Sequence, residues 1–277
     1  MSDATYTTLR VEREAGVARV TIDNPPVNLL TIVVMTEVRA LLAALKDDES
    51  VRVIVFDSAN PEFFIAHVDM TIGEHMAELQ KLADTAPENV NVFQTLNELL
   101  RHQPQVTIVK LAGRARGGGA EFVAAADMAF GAIGRAGIGH IEALMGIVPG
   151  GGGTQYLNNR IGRHRALEVV LGADLFDAEL AERYGWINRA LPADELDGFV
   201  DRLARNIAAL PEGVVRAVKH AIRAENLTPG LLRENESWAG LIGGTAARQL
   251  MRDGLEHGAQ TPSGERDLEG TLRNLHG

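Results

Sequence analysis

Two glutamates, each close to a run of glycines, are the residues of this chain whose types and spacing could perform chemistry. Glu121 follows the glycine run 117–119, which joins the apolar, strand-like segment 106–111 to the apolar segment 122–126, typical of a buried helix. Glycines let the backbone turn sharply and approach a ligand, and the first amides of a helix can bind an anion. The same amides can stabilise a carbonyl oxygen that gains negative charge during a reaction. A carboxylate beside such donors favours chemistry on an acyl group.

The second glutamate, Glu142, lies in the otherwise apolar stretch 138–146, where an unpaired charge is costly. Apolar surroundings raise the pKa of a carboxyl group, which suits a proton donor. The alternative is a structural carboxylate that is satisfied by His140 or by a nearby arginine. A further glycine run, 150–153, follows. Its glycines suggest either backbone that lies close to a ligand or tight packing between chain segments, and we favour packing because the sequence implies no acid or base beside the run.

Hydrolytic and metal-dependent alternatives have little support in the sequence. No serine lies in a G-x-S-x-G motif, which disfavours a serine hydrolase. The eight histidines show no paired spacing for a metal ion, so we expect no metal site. The chain contains no cysteine, which excludes disulfides, thiolate metal sites and cysteine nucleophiles.

The composition is that of a globular protein with an acidic balance. The 277 residues suffice for one large domain, or for a domain with a smaller appendage. The 37 acidic residues exceed the 27 basic residues, and a net charge of −10 disfavours binding to nucleic acid. The first residues do not resemble a signal peptide, and no apolar run reaches membrane-spanning length. We therefore expect a cytoplasmic protein without a nucleic-acid or membrane partner.

The elements that must position the two glutamates are strands that alternate with helices in the first half of the chain. A strand pair that turns at Gly16 is predicted first, and the predicted strands are 6–13, 17–22, 51–56, 106–111, 128–133 and 137–141. Helices are predicted at 31–45, 76–82, 92–100, 165–171, 178–184, 195–210 and 213–224, and over the final 50 or so residues with a break at 260–264. This alternation implies βαβ units with a largely parallel sheet, followed by a helical C-terminal region.

Three blocks of the sequence resemble those of the crotonase superfamily, whose typical member is enoyl-CoA hydratase. They are 64–69, 113–121, and Glu142 followed by 146–150. The early loop 24–28 and the segments 177–187, 191–196 and 211–219 also resemble the family, so the resemblance spans about residues 5–225. It implies an α/β fold, with a crotonase-like ββα superhelix core over residues 1–200 and a helical C-terminal trimerisation region over 201–277. Such proteins assemble as homotrimers or hexamers.

The resemblance also implies an acyl-CoA thioester substrate, with coenzyme A entering as part of the substrate and no separate cofactor. The backbone N–H groups of Val68 and Gly118 would form an oxyanion hole for the thioester oxygen. Glu121 would act as the base on water, and Glu142 would deliver a proton to the α-carbon of a 2-enoyl-CoA. The residues expected to contact the substrate or its coenzyme A are Pro26, Val27, Ala66, His67, Asp69, Met70 and Gly117.

Three positions depart from the pattern of the family. His67 stands at a position that is usually glycine, and its side chain could narrow the pocket or point outward from a surface loop. Arg116 replaces a more usual apolar residue, and Met70-Thr71 replaces a typical apolar-basic pair, which bears on coenzyme A phosphate contacts and acyl preference. The alternative functions are enoyl-CoA isomerase, which can manage with one carboxylate, a dehalogenase or hydrolase variant, and a non-catalytic acyl-CoA-binding protein.

Overall fold

The strands of the protein form two largely parallel sheets. The computed structural model describes residues 6–86, 90–222 and 224–276. Numbered along the chain, the strands are β1 (Leu9–Glu14), β2 (Val17–Ile22), β3 (Val53–Ser58), β4 (Phe63–Ile65), β5 (Val106–Leu111), β6 (Arg114–Arg116), β7 (Met128–Ala132), β8 (Gly137–Gly139), β9 (Phe176–Asp177) and β10 (Arg189–Leu191). The larger sheet has the order β1-β2-β3-β5-β7-β10, and the smaller sheet has the order β4-β6-β8-β9. Only the β1–β2 and β8–β9 pairs within these sheets are antiparallel.

The α-helices of the described residues cover the sheets and then continue to the C-terminus. They are α1 (Ile32–Lys46), α2 (Met76–Ala83), α3 (Val92–Arg101), α4 (Gly118–Ala125), α5 (Gly153–Ile161), α6 (Arg163–Gly172), α7 (Ala178–Tyr184), α8 (Leu196–Ala208), α9 (Val214–Ala221), α10 (Thr228–Ile242), α11 (Thr245–Glu256) and α12 (Leu268–Asn274). Short 3₁₀ helices lie at Ile72–Glu74, Glu142–Met145 and Gly264–Asp267. Across the described residues, no helix is both long and apolar enough to cross a membrane.

Both faces of the larger sheet are buried, which explains why its central strand is a continuous apolar run. Ile54 and Phe56 of β3 pack into the core that contains α1, α3 and α4, and Phe56 meets the Phe122 ring edge-on at 5.1 Å. Val53 and Val55 of the same strand face the opposite side, where α8 covers them. Alternate residues of a strand point to opposite faces, so both sets must be apolar when helices cover both sides.

The smaller sheet positions the glycine run at the start of α4. Its strand β6 leads directly through Gly117 into α4, and β4 lies alongside. A Cβ atom on Gly119 would approach the backbone oxygen of Ile65 to 2.2 Å, which no side chain could tolerate. Gly119 therefore lets α4 press against β4, and this contact brings the loop after β4 beside the first turn of the helix.

The C-terminal helices pack on the same half of the molecule as the two glutamates. Apolar residues of α11 and α12 form one cluster with the 3₁₀ turn Glu142–Met145, and α10 packs on α5. α8, in contrast, lies on the larger sheet. The division of the chain at residue 200 and the role of residues 201–277 in oligomerisation stay predictions.

Most predicted elements are present with shifted bounds, and two differences bear on the site. The three-residue strand β4 lies within a connection that the sequence predicts as polar loop, because so short a strand leaves no periodic pattern. α4 begins at Gly118 and not at 122, so Glu121 lies in its first turn. Glycine lowers helix propensity, and here packing against β4 overrides it. Residues 87–89 of the predicted connection and residue 223 of the helix predicted at 213–224 lie outside the described residues.

Candidate active site

Glu121 is buried and points into the glycine loop 150–153. Its Oε1 atom accepts the backbone N–H groups of Gly151 at 2.7 Å and Gly153 at 3.0 Å. A Cβ atom on Gly151 would lie 2.4 Å from Oε2 of Glu121, so only glycine allows this approach. The expectation that no acid lies beside this run is therefore wrong. The tight packing is confirmed, since a Cβ atom on Gly150 would lie 2.6 Å from Trp238 and one on Gly152 would lie 2.3 Å from Tyr156.

A second buried carboxylate holds the same loop from the other side. Glu234 of α10 accepts the amides of Gly152 and Thr154 and the side-chain hydroxyl of Thr154, and Gln94 donates to it at 3.1 Å. The amides of residues 151–154 thus alternate between Glu121 and Glu234. Sequence reasoning missed Glu234, although its position three residues after Leu231, on the same face of α10, was a signal that could have found it.

Glu142 opens the 3₁₀ turn after β8 and is also nearly buried. Its two carboxylate oxygens lie 3.3 and 3.4 Å from Nδ1 of His140, the contact that the structural alternative had anticipated. The His140 ring is fully buried and stacks on Trp186, with the ring centroids 5.6 Å apart. Its Nε2 atom has no hydrogen-bond partner among the described residues. No arginine among the described residues contacts Glu142.

Burial raises the pKa of Glu121 well above the usual range of a glutamate, and the negative charges of Glu142 and Glu234 raise it further. The amides of Gly151 and Gly153 act in the opposite direction, because they stabilise the carboxylate. Burial likewise raises the pKa of Glu234. Perturbed pKa values of buried carboxylates are common at sites of general acid–base catalysis.

Two backbone amides converge beside these carboxylates. Gly118 provides the first amide of α4, and Val68 follows β4. A Cβ atom on Gly118 would lie 2.5 Å from Cγ2 of Val68, so the two segments touch at these residues. Within the described part of the chain, neither N–H group donates to a protein acceptor. Amides on two touching segments that donate to no acceptor among the described residues suit an oxygen atom that acquires negative charge.

Gly117 separates these amides from Glu142. Its φ of +49° lies in the region that favours glycine, and a Cβ atom there would lie 3.2 Å from Oε1 of Glu142. Its own N–H donates to the carbonyl of Gly139, which ties β6 to β8. The glutamate thus faces the backbone just before the amide of Gly118. The sequence-predicted carboxylates and amides are brought together at one place.

The residues expected to contact the substrate divide into an exposed and a buried set. Pro26 is exposed, whereas Val27 and Ala66 are fully buried and pack on Phe63. Asn28 joins the two loops, because its backbone oxygen accepts the N–H of Ala66 and its side chain donates to the carbonyl of Phe64. The early loop therefore lies against the segment that carries Val68, although Val27 and Ala66 present little surface to a ligand.

His67 neither lies on a surface loop nor adopts a positive φ. The imidazole is 2% exposed, with Nε2 at 2.8 Å from Oε1 of the buried Glu265 and Nδ1 at 2.6 Å from the carbonyl oxygen of Val68. The alternative that its side chain points outward from a surface loop is therefore wrong. Arg116 is also fully buried and pairs with Glu265 and Glu269, so it is not available to a coenzyme A phosphate.

Asp69 and Met70 are held by the C-terminal segment. Oδ1 of Asp69 accepts N–H groups from Thr71 and from the side chain of Gln260, and the amide of Met70 donates to Oε1 of Gln260. Burial raises the pKa of Asp69, but the hydrogen bonds from Thr71 and Gln260 outweigh it and leave the pKa below the usual range. Their expected contacts with the substrate stay predictions.

The comparisons with known proteins agree with this geometry. A family model described as enoyl-CoA hydratase/isomerase matches residues 12–257. A protein of Mycobacterium tuberculosis named a probable enoyl-CoA hydratase is 31% identical over 234 residues, which cover 83% of this chain and 88% of that protein. The crotonyl-CoA hydratase of Syntrophomonas wolfei is 26% identical over 251 residues, or 90% of this chain and 94% of that protein.

A solved structure extends the similarity to the whole fold. The crystal structure of a protein from Streptomyces avermitilis, assigned as an enoyl-CoA hydratase, superimposes with a TM-score of 0.97 at 67% identity. The match covers 98% of this chain and 99% of that one, so it includes the C-terminal helices. The two sheets, their helices and the sequence match together lead to one assignment. The chain belongs to the enoyl-CoA hydratase/isomerase family, within the crotonase superfamily.

Proposed function

We propose that the protein is an enoyl-CoA hydratase, which adds water across the double bond of a 2-enoyl-CoA thioester. The observation that carries this proposal is the proximity of two buried glutamates, Glu121 and Glu142, to the amides of Val68 and Gly118, which donate to no acceptor among the described residues. Hydration needs one group that removes a proton from water and one that supplies a proton to carbon. It also needs donors for the thioester oxygen.

The thioester oxygen binds between the amides of Val68 and Gly118. As water adds to the β-carbon, negative charge moves to this oxygen and produces an enolate. Both donors are backbone groups, so their positions are fixed before the reaction and cost no reorganisation when the charge develops. Removing one such donor typically costs about 10²–10³-fold in kcat.

Glu121 acts as the base on the water molecule. Its raised pKa makes the ionised carboxylate a stronger base than an ordinary glutamate. Gly151 and Gly153 hold Oε1, and Oε2 accepts no hydrogen bond from the described residues, which leaves it for the water. Glu142 delivers the proton to the α-carbon, and Nδ1 of His140 helps to orient its carboxylate.

The substrate is an acyl-CoA thioester, and the reaction uses no cofactor beyond the coenzyme A that the substrate carries. All proton transfers are assigned to side chains of this chain. His67 supported the alternative of a non-catalytic binder, because a large residue at that position could obstruct the pocket. The contacts of its ring with Glu265 and Val68 remove this argument.

A panel of 2-enoyl-CoA thioesters of different chain length and branching tests the proposal. We expect the absorbance of the conjugated double bond to disappear as 3-hydroxyacyl-CoA forms, with each product identified by mass. Migration of the double bond without a gain in mass would indicate an isomerase. Binding of the thioesters without any turnover would contradict an enzymatic role.

A further inference from the structure

Two residues that depart from the family pattern, His67 and Arg116, belong to one buried network of hydrogen bonds and ion pairs. His67 lies in the loop after β4 and Arg116 at the end of β6, and both contact Glu265, which is itself fully buried. Arg116 also binds Glu269 through two hydrogen bonds, of 2.6 and 3.0 Å. The network therefore joins two residues of the α/β core to two carboxylates of the C-terminal segment.

The positions of His67 and Arg116 in the chain relate the network to the amide pair. His67 immediately precedes Val68, and Arg116 lies two residues before Gly118. The backbone N–H of Arg116 also donates to the carbonyl of Ala66, so the two segments are already hydrogen-bonded here. One carboxylate, that of Glu265, thus holds the residues that lead into both amides.

A hydrogen bond to the peptide unit between His67 and Val68 fixes the direction of the Val68 N–H bond. Its carbonyl oxygen accepts the N–H of Leu30 at 2.9 Å, and the peptide is trans. The C=O and N–H bonds of a trans peptide point in opposite directions, so this bond directs the N–H of Val68 away from Leu30. On the following peptide, Nδ1 of His67 binds the carbonyl of Val68. Val68 is therefore held by its peptide units on both sides.

Glu265 is the acceptor that the network shares. Burial raises the pKa of Glu265, but the interactions with His67, the amide of Gln260 and the charge of Arg116 outweigh burial and leave this pKa below the usual range. The group is therefore a carboxylate, which only accepts hydrogen bonds. Both ring nitrogens of His67 face acceptors, which are Oε1 of Glu265 and the carbonyl oxygen of Val68.

We propose that His67 is a positioning residue for the oxyanion hole, fixed by Glu265 of the C-terminal segment, and that docking of this segment sets the spacing of the Val68 and Gly118 amides. The idea rests on the proposed function, because it assigns these amides to a thioester oxygen. It gives His67, Arg116 and Glu265 a shared role in a site that none of them touches directly.

The test uses two ligands that need no turnover, acetoacetyl-CoA and butyryl-CoA. The β-keto thioester ionises to an enolate, whose charged oxygen depends on the amide pair, whereas the saturated thioester lacks this charge. We expect Glu265→Gln and His67→Asn to weaken binding of acetoacetyl-CoA by about 10-fold or more, and binding of butyryl-CoA by less than about 3-fold. In the hydration assay, the same two variants should have a lower kcat and a nearly unchanged KM.

The matched control is Arg266→Gln. Arg266 neighbours Glu265, but it forms an exposed ion pair with Glu62 and does not touch the network. The Arg266→Gln variant should bind both ligands as the wild type does. His67→Gln, which can still reach Glu265 but cannot brace the Val68 carbonyl, should resemble His67→Asn. The double variant His67→Asn with Glu265→Gln should be no worse than the worse single variant, because the two residues act as a unit.

Equal affinity of wild type and Glu265→Gln for acetoacetyl-CoA would overturn the proposal. An equal loss for both ligands, or in Arg266→Gln, would also overturn it, because the segment would then have only a general structural role. The readout is independent of catalysis. A wild-type protein that binds both ligands but hydrates no enoyl thioester therefore counts against the proposed function alone.

Discussion

Glu121 and Glu234 bind alternate amides of one glycine loop, Glu121 those of Gly151 and Gly153 and Glu234 those of Gly152 and Thr154. One carboxylate belongs to the α/β core and the other to the C-terminal helical region. The loop is therefore held by both parts of the chain. The position of the proposed catalytic base depends on a helix that sequence reasoning assigned to oligomerisation.

Replacing Glu234 by glutamine should destabilise the fold. Each carboxylate oxygen of Glu234 faces two donors, and the amide group of glutamine would place an N–H against donors on one side. An unsatisfied buried group costs about 1–3 kcal/mol, so the free energy of unfolding should fall by about this amount. Urea denaturation measures it. Glu236→Gln, at an exposed position of the same helix, should cause no comparable change. Equal stabilities of the two variants would contradict the role of Glu234.

The stability of the protein should depend on the ionisation of Glu121. Burial, with the charges of Glu142 and Glu234, raises the pKa of Glu121 in the folded chain. A group with a raised folded pKa contributes stability that is fully present below its unfolded pKa and is lost as the pH rises through the folded pKa. The free energy of unfolding should therefore fall as the pH rises above the ordinary glutamate range.

Glu121→Gln should flatten this dependence, because glutamine stays neutral and its Oε1 can still accept the amides of Gly151 and Gly153. Urea denaturation of both proteins at a series of pH values checks the prediction. Both proteins contain the other groups that titrate over the same pH interval, so the difference between their free energies of unfolding isolates the contribution of Glu121. Curves that run parallel across the series would show that Glu121 does not titrate as expected.

The local sequence is sufficient to identify Glu121 and Glu142 as catalytic candidates. It does not identify the residues that contact them. Glu121 beside a glycine run between a strand and a helix, and Glu142 in an apolar stretch, were both recognisable. The contact of Glu121 with the glycine loop was not, because it joins segments about 30 residues apart through backbone amides that leave no side-chain pattern.

The same limit applies to the C-terminal segment. Glu265 lies in a short 3₁₀ turn between α11 and α12, and nothing in its local sequence shows that it is buried or that it faces His67. The sequence identifies His67 and Arg116 as separate departures from the family pattern, but only the tertiary structure shows that they share one carboxylate. The alternation of strands and helices, in contrast, predicted the architecture well, since hydrophobic periodicity is a local signal.

His140→Phe should lower kcat while the protein remains folded. Phenylalanine can keep the stacking on Trp186, but it removes the Nδ1 atom that lies 3.3 Å from Glu142. We expect a loss of about tenfold, the equivalent of one hydrogen bond to a charged group. Steady-state hydration kinetics and the unfolding temperature measure the two effects, with the exposed His164→Phe as control. An unchanged kcat would show that His140 does not orient Glu142.

The protein should be a homotrimer or a hexamer in solution. Large apolar side chains remain exposed, such as Leu171 at 69% and Ile222 at 79%, and a closed rotational assembly can cover such surface. Sedimentation should give the mass of three or six chains, and a stable monomer at micromolar concentration would contradict the prediction. Removing residues 226–277 should leave an aggregating or unfolded protein, since it deletes Glu234 and the helices that cover the Glu142 turn.

The most direct test of the proposed function is the hydration rate of Glu121→Gln and Glu142→Gln with the best thioester of the panel. Each change keeps size and most hydrogen bonding but removes the proton chemistry. We expect each to lower kcat by about 10²–10⁴-fold, with the thioester still bound through the unchanged amides of Val68 and Gly118. The double variant should be only modestly worse than the worse single variant. Wild-type turnover by both single variants would show that the glutamates are structural and would contradict the assignment as a hydratase.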